Sequence, residues 1–258
     1  MFDTLKTDAT IKTDGDNLGG NKQAPFESGL YDFTVKLAYG SLSAGKAKAL
    51  NLLLETDNGK ELSKQLWLTS GEAKGCLNYF IDKTGNKKYM PGFEMANHLC
   101  LMTLGKELSK VKTESKTIML YDFTQRKEVP TDVQMVVELL GKKITAGIIK
   151  QVVNKRVKDP GSGEYVSITE TREENEIDKF FHYPSGLTVT EAEAKMTEPK
   201  FKQEWKKKWE GVTKDKTDKN AVADPTKGTN ANSAGASTQA FSSNTASASG
   251  SSLFGSAA

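Results

Sequence analysis

The side chains with the most evident chemistry lie between Leu62 and Tyr89. Trp67, Lys74, Tyr79, Phe80, Lys87, Lys88 and Tyr89 interleave aromatic rings with ammonium groups. That mixture suits a single nucleic-acid strand, because unpaired bases stack on rings and phosphates sit beside cations. Leu62, Leu66 and Leu68 alternate with Ser63, Gln65, Trp67 and Thr69, which predicts a half-buried strand with Trp67 on its polar face. A glycine-flanked loop carrying Lys74 follows, then a hairpin around Lys83-Thr84-Gly85-Asn86. Lys150, Lys155, Arg156 and Lys158 form a second basic patch, on a long strand leading into the turn Asp159-Pro160-Gly161-Ser162-Gly163. Long basic loops beside a sheet face can clamp a strand. These eleven residues are the candidate contacts to a single nucleic-acid strand.

Catalytic patterns are weaker. Gly40 to Lys46 fits the phosphate-cradling GxxxxGK loop, but Ala47 stands where that loop needs Ser or Thr to hold magnesium. The segments on either side alternate like half-buried strands, so a hairpin loop is expected. No GxSxG, HExxH or CxxC occurs, and His98 and His182 have no nucleophile partner in the sequence. Glu170, Glu173, Glu174 and Glu176 read as a solvated acidic run. Cys76 and Cys100 cannot form a disulfide framework or, with two histidines, a zinc cluster. The expectation is a non-enzymatic protein with no catalytic residues, no cofactor and no metal.

The elements that must position the rings are mostly strands. Leu30–Tyr39 places Tyr31, Phe33, Val35, Leu37 and Tyr39 on one face; Ala49–Thr56 and Glu61–Thr69 continue a meander through the turn residues Asp57-Asn58-Gly59. Phe93 to Gly105 has helical spacing, with Gly105 as the stop. Thr117–Asp122, Val133–Leu140, Lys143–Val157 and Tyr165–Thr171 read as strands. Glu173–Phe181 and Thr190–Lys195 read as short helices. A C-terminal helix starts at Thr197-Glu198-Pro199, with Thr197 as its cap, and carries Phe201, Trp205 and Trp209 along one stripe. The fold class is therefore mainly β with accessory helices: an OB-fold-like antiparallel barrel with a helix after the third strand.

Composition sets the boundaries. The chain has 258 residues, a net charge of +3 and only 36% hydrophobic residues. The apolar deficit is concentrated at the end, where Gly228 to Ala258 carries no charge and is nearly all Ser, Ala, Asn, Gly and Thr. We expect an N-terminal arm over 1–28, a binding domain over 29–211 and a disordered tail over 212–258. So small a net charge excludes a histone-like polycation, so any electrostatic footprint must be local. No secretory leader or membrane span is recognisable, and a cytoplasmic location is expected.

Several short stretches resemble the single-stranded DNA-binding proteins of lytic bacteriophages. They are Asp16-Asn17-Leu18-Gly19-Gly20, Ser28-Gly29-Leu30-Tyr31, Leu68-Thr69-Ser70-Gly71 before Lys74-Gly75, and Tyr89-Met90-Pro91-Gly92-Phe93. Phe180-Phe181, Gly186-Leu187-Thr188 and the Trp205/Trp209 segment extend the likeness. The resemblance implies an OB-type barrel that coats single strands during phage DNA replication and recombination, in the host cytoplasm. It assigns no contact residues. Such proteins often end in an acidic tail closed by an aromatic residue that recruits replication partners. This tail has Leu253 and Phe254 near its end but no acid in its last stretch, so the expected docking element is an apolar one. The alternative is a phage structural or accessory protein whose rings contact protein instead of nucleic acid.

Overall fold

The computed structural model describes residues 24–122 and 124–227. The predicted meander is present as β1 (Gly29–Leu42), β2 (Lys48–Thr56) and β3 (Glu61–Trp67), each antiparallel to the next. A small hairpin, β4 (Tyr79–Ile81) with β5 (Lys87–Tyr89), then leads into helix α1 (Pro91–Leu104). Pro91 suits the first helical turn, where its missing N–H costs nothing. Gly105 ends the helix with φ 69° and donates its N–H to the Leu101 carbonyl, a conformation that glycine adopts without Cβ strain. Ala96, Leu99 and Cys100 face the core.

The single-face reading of β1 needs correction. Phe33 and Val35 are buried, but a β-bulge between Val35 and Leu37 shifts the register against β2. Past the bulge Ala38 points into the core, and Leu37 and Tyr39 turn to the other face. The strand also changes neighbour. Its first half pairs with β8 (Lys143–Lys158), and Tyr39 and Gly40 pair with β7 (Lys127–Met135). β7 forms a hairpin with β6 (Glu114–Asp122), and the rest of the expected strand to Leu140 is a single helical turn at Val137–Leu139.

β8 and β9 (Tyr165–Phe181) make a long antiparallel ribbon. Glu173–Phe181, expected as a helix, is the second half of β9. Its glutamates favour helix locally, but Ile177, Phe180 and Phe181 are buried as strand residues, and burial outweighs propensity. α2 (Val189–Glu193) is closed by a capping box between Thr188 and Glu191. The start of α3 (Lys200–Trp209) is also corrected: Thr197 does not cap it, and the Glu191 carboxylate accepts the Phe201 N–H at 2.7 Å. Burial alone would push the Glu191 carboxyl up, but these hydrogen bonds outweigh it and hold it below its ordinary value.

A ten-residue helix is too short to persist alone, so α3 depends on its stripe. Trp205 is buried beside Ile149 and Phe181, and its indole N–H donates to Asp178 at 2.7 Å. Gly147 makes room for it, since a Cβ there would lie 2.7 Å from the indole ring. The chain does not leave the body at Thr213 as expected. β10 (Thr213–Asp215) runs parallel to β8, along the edge that β1 vacates, and Val222 bridges to Ile168.

The architecture is mainly antiparallel β with a helix after the third strand of the sheet. The mainly β, antiparallel class is as expected, and the barrel is not closed, because β3 and β9 do not pair. The N-terminal segment fills that seam. Phe26 is buried in the core, its N–H and carbonyl both bonded at 2.7 Å to the Asn175 side chain. Lys64 reaches Glu176 across the same gap at 3.6 Å. Residues 24–28 thus belong to the body, whereas 1–23 lie outside the described residues. Two outcomes follow. Asn175→Ala strands two buried backbone groups and is expected to cost about 2–4 kcal/mol in urea unfolding. Burial of Cys100 pushes its thiol up to about 12, so a colourless disulfide reagent should titrate Cys76 in the native protein and both thiols only after unfolding.

Candidate nucleic-acid interface

The register across β1, β2 and β3 builds a face of three rows on the side away from the core. Leu37, Leu53 and Ser63 form one row; Tyr39, Asn51 and Gln65 the next; Ser41, Ala49 and Trp67 the third. Side chains of paired residues lie on the same side, and alternate residues stand about 7 Å apart along a strand. Hydrogen bonds fix the middle of the face. Gln65 Nε2 donates to Asn51 Oδ1 at 2.9 Å, and Asn51 Nδ2 donates to Ser41 Oγ at 2.7 Å. Burial raises the Tyr39 phenol above its ordinary value. Leu120, from the β6–β7 hairpin, overhangs the Leu37 end, and a groove of about 620 Å³ runs between it, Tyr39 and Gln65. Trp67, 41% exposed, marks the other end.

Residues 68–90 form a cap beside Trp67. Glu72 donates its N–H to the Gly45 carbonyl at 2.7 Å, and its carboxylate pairs with Lys46 at 2.7 Å. The expected hairpin loop at Gly40 to Lys46 is therefore clamped, its lysine neutralised, and it leads into β2 with no helix behind it. At Gly71 a Cβ would lie 3.0 Å from the Gly45 carbonyl, so the close approach favours glycine. Lys74, Leu77, Tyr79 and Phe80 line a cleft of about 480 Å³ beneath the hairpin.

Within β4–β5 the rings divide between two faces. Tyr79 pairs with Tyr89 and Ile81 with Lys87, whereas Phe80 pairs with Lys88 on the opposite side. The Lys87 ammonium lies 4.8 Å from the Tyr79 ring, and Tyr89 packs on Phe93 at 5.1 Å. The turn is held by Asp82, which accepts from Thr84 and Asn86 and pairs with Lys88 at 2.9 Å. Hydrogen bonds from Thr84 and Lys88 hold its carboxyl far below the usual range. Phe80 and Tyr89 remain exposed.

The second basic patch is not brought to this face. Lys150 is largely covered, with Glu27 at 3.0 Å and Glu173 at 3.1 Å. The hydrogen bonds that it donates to those two carboxylates raise its pKa. Lys155 pairs with Glu170 at 2.9 Å. Arg156 donates to the Tyr165 carbonyl at 2.8 Å across the ribbon. Lys158 is exposed at the end of β8. The glutamates read as a free solvated run are in part the counter-charges of these cations.

Sequence reasoning missed Tyr39, Asn51 and Leu120. The register of β1 with β2 would have found the first two, but the bulge that sets it leaves no mark in residue types. Leu253 and Phe254, the expected docking residues, lie outside the described residues. Among the described residues no group of His, Cys, Asp and Glu could hold a metal ion, and no helix is long and apolar enough to cross a membrane. No protein-family model matches the chain, and no curated protein matches it.

Trp67 is seated by a close approach. A Cβ on Gly92 would lie 2.3 Å from the Trp67 carbonyl oxygen. Gly92→Ala should therefore push α1 off the end of β3, cost about 1–3 kcal/mol in thermal unfolding and shift the Trp67 emission.

Proposed function

We propose that this chain binds single-stranded DNA with little regard to sequence, through the outer face of β1–β3 and the cap beside it. The observation that carries this reading is the joint placement of Tyr39, Asn51, Gln65 and Trp67 on one open sheet face, flanked by the lysine-bearing cap. Bases stack on Trp67 and Tyr39, and the amides of Asn51 and Gln65 offer hydrogen bonds that any base edge can use. Lys74, Lys87 and the exposed rings of the β4–β5 hairpin extend the path and supply phosphate contacts. Lys150 and Lys155 contribute little, because their charge is already balanced. Duplex DNA binds weakly, its bases having no free face to offer.

The setting we propose is phage DNA replication and recombination in the host cytoplasm, where exposed single strands need covering. Replication proteins are then the partners of the tail, engaged through Leu253 and Phe254.

Titration with oligo-dT should quench tryptophan emission, and the affinity should fall as salt rises, since phosphate contacts release counterions. Trp67→Ala should remove most of the quenching and weaken binding about 5- to 150-fold, the equivalent of ~1–3 kcal/mol for one stacked base. Lys74→Ala and Lys87→Ala should each weaken it, whereas Lys155→Ala should leave it unchanged. Equal affinity for duplex and single strand, or full-strength binding by Trp67→Ala, overturns the reading.

A further inference from the structure

α3 carries a second set of rings and ammonium groups, apart from the cap. Phe201, Trp205 and Trp209 share one stripe, and only Trp205 is buried. Phe201 is 41% exposed, and Trp209 lies about 12 Å further along the helix at about 1.5 Å per residue. Both outer rings have cations beside them. The Lys179 ammonium, from β9, lies 5.8 Å from the Phe201 ring. Those of Lys208 and of Lys214, from β10, lie 5.0 Å and 5.4 Å from the Trp209 ring. None of these three lysines has a carboxylate within 4.0 Å among the described residues, whereas Lys206 on the same helix pairs with Glu210 at 3.4 Å. The helix dipole favours lysine in a last turn, which accounts for Lys208. It does not account for Lys179 and Lys214, which two strands bring to the same stripe.

The sheet sets this stripe on the same side as the open face of β1–β3. Leu30 of β1 packs with the cluster around Trp205, its ladder partner is Gly147, and Lys179 lies opposite Gly147 in turn. Leu30, Asp32 and Thr34 alternate with the core residues Phe33 and Val35, so they point outward. Beyond the bulge Leu37 and Tyr39 continue that outer side. From Leu30 to Tyr39 is roughly 30 Å of strand. Between them Lys143 pairs with Asp57 and Lys36 with Glu55. Cations without a counter-charge thus stand at the two ends of one surface.

We infer that a single strand leaving the β1–β3 face crosses the outer side of β1 and is held again at α3. Its phosphates meet Lys179, Lys208 and Lys214, and its bases meet Phe201 and Trp209. The occupant is the continuation of the bound strand, since rings beside uncompensated cations repeat the chemistry of the cap. This second grip rests on the single-strand reading above and makes affinity depend on strand length. A strand too short to reach α3 gains nothing from it, and a longer one does.

Salt titrations of the full chain with oligo-dT of two lengths separate the two surfaces. About 4 nucleotides, roughly 14 Å at the spacing of a stacked strand, cannot bridge them, whereas about 20 can. Lys208→Gln/Lys214→Gln keeps most of each aliphatic stem and removes the charge. It should bind the longer strand roughly tenfold more weakly and lower the slope of log affinity against log salt by about 1.4, the value for two lost phosphate contacts. The short strand, followed by its quenching of Trp67, should bind this variant as it binds the wild-type chain, because ~30 Å exceeds the Debye length at ~0.1 M salt. Lys208→Arg/Lys214→Arg should keep the wild-type slope. Trp67→Ala should weaken both lengths. Wild-type affinity and slope of the glutamine variant on the longer strand, with Trp67→Ala weakened on both, overturns the α3 grip alone. Equal weakening of both lengths by the glutamine variant overturns it too. A wild-type chain that binds neither length overturns the β1–β3 reading along with it.

Discussion

The bulge between Val35 and Leu37 is the constraint on which the rest turns. It lets one strand do two jobs: Phe33, Val35 and Ala38 stay in the core while Leu37 and Tyr39 cross to the outer face. The displaced backbone is not left bare. Val35 bonds to Lys142 at 2.9 Å and to Gly141 at 2.8 Å, so the connection into β8 fills the irregularity. Beyond it, β1 parts from β8 and takes β7 as neighbour. The β6–β7 hairpin is thereby hung over the outer face, and the groove under Leu120 exists because of that change of partner. Without the bulge, Tyr39 would face the core and the row with Asn51 and Gln65 would be gone.

Charge tells a similar story of allocation. Lysines are spread through the chain, but their availability is set by folding. Lys150 and Lys155 of the β8–β9 ribbon are matched by Glu27, Glu170 and Glu173. Lys46 is matched by Glu72 and Lys88 by Asp82. Exposed ion pairs add little stability, yet they remove the cations from the pool open to phosphate. Lys74 and Lys87 have no carboxylate within 4.0 Å among the described residues, and Lys87 faces a ring instead. A count of basic residues along the sequence therefore overstates the second patch and understates the cap.

What was legible in the sequence was what local periodicity records. Alternation marked β1, β2 and β3, the turn after Lys158 marked the ribbon as far as Thr171, and Gly105 marked the end of α1. The mainly β class and the helix after the third strand followed from that order. What escaped depends on distant partners. The glutamates at 173, 174 and 176 look helical until β8 lies beside them, and Asn175 among them is buried only because Phe26 needs it. Lys150 looks free because its partner Glu27 is far away in sequence. Of the site, Trp67 and the hairpin rings were visible as residue types. That Tyr79 and Phe80 lie on opposite faces, and that Tyr39 joins Trp67, depended on register.

The β10 segment has one more consequence. Val222 donates to Ser167 and accepts from Thr169, and Lys227 pairs with Glu170, so the chain is fastened to β9 near the turn of the ribbon just before residue 228. The last described residues thus lie along the ribbon, so the chain continues from β9 and not from the face of β1 to β3.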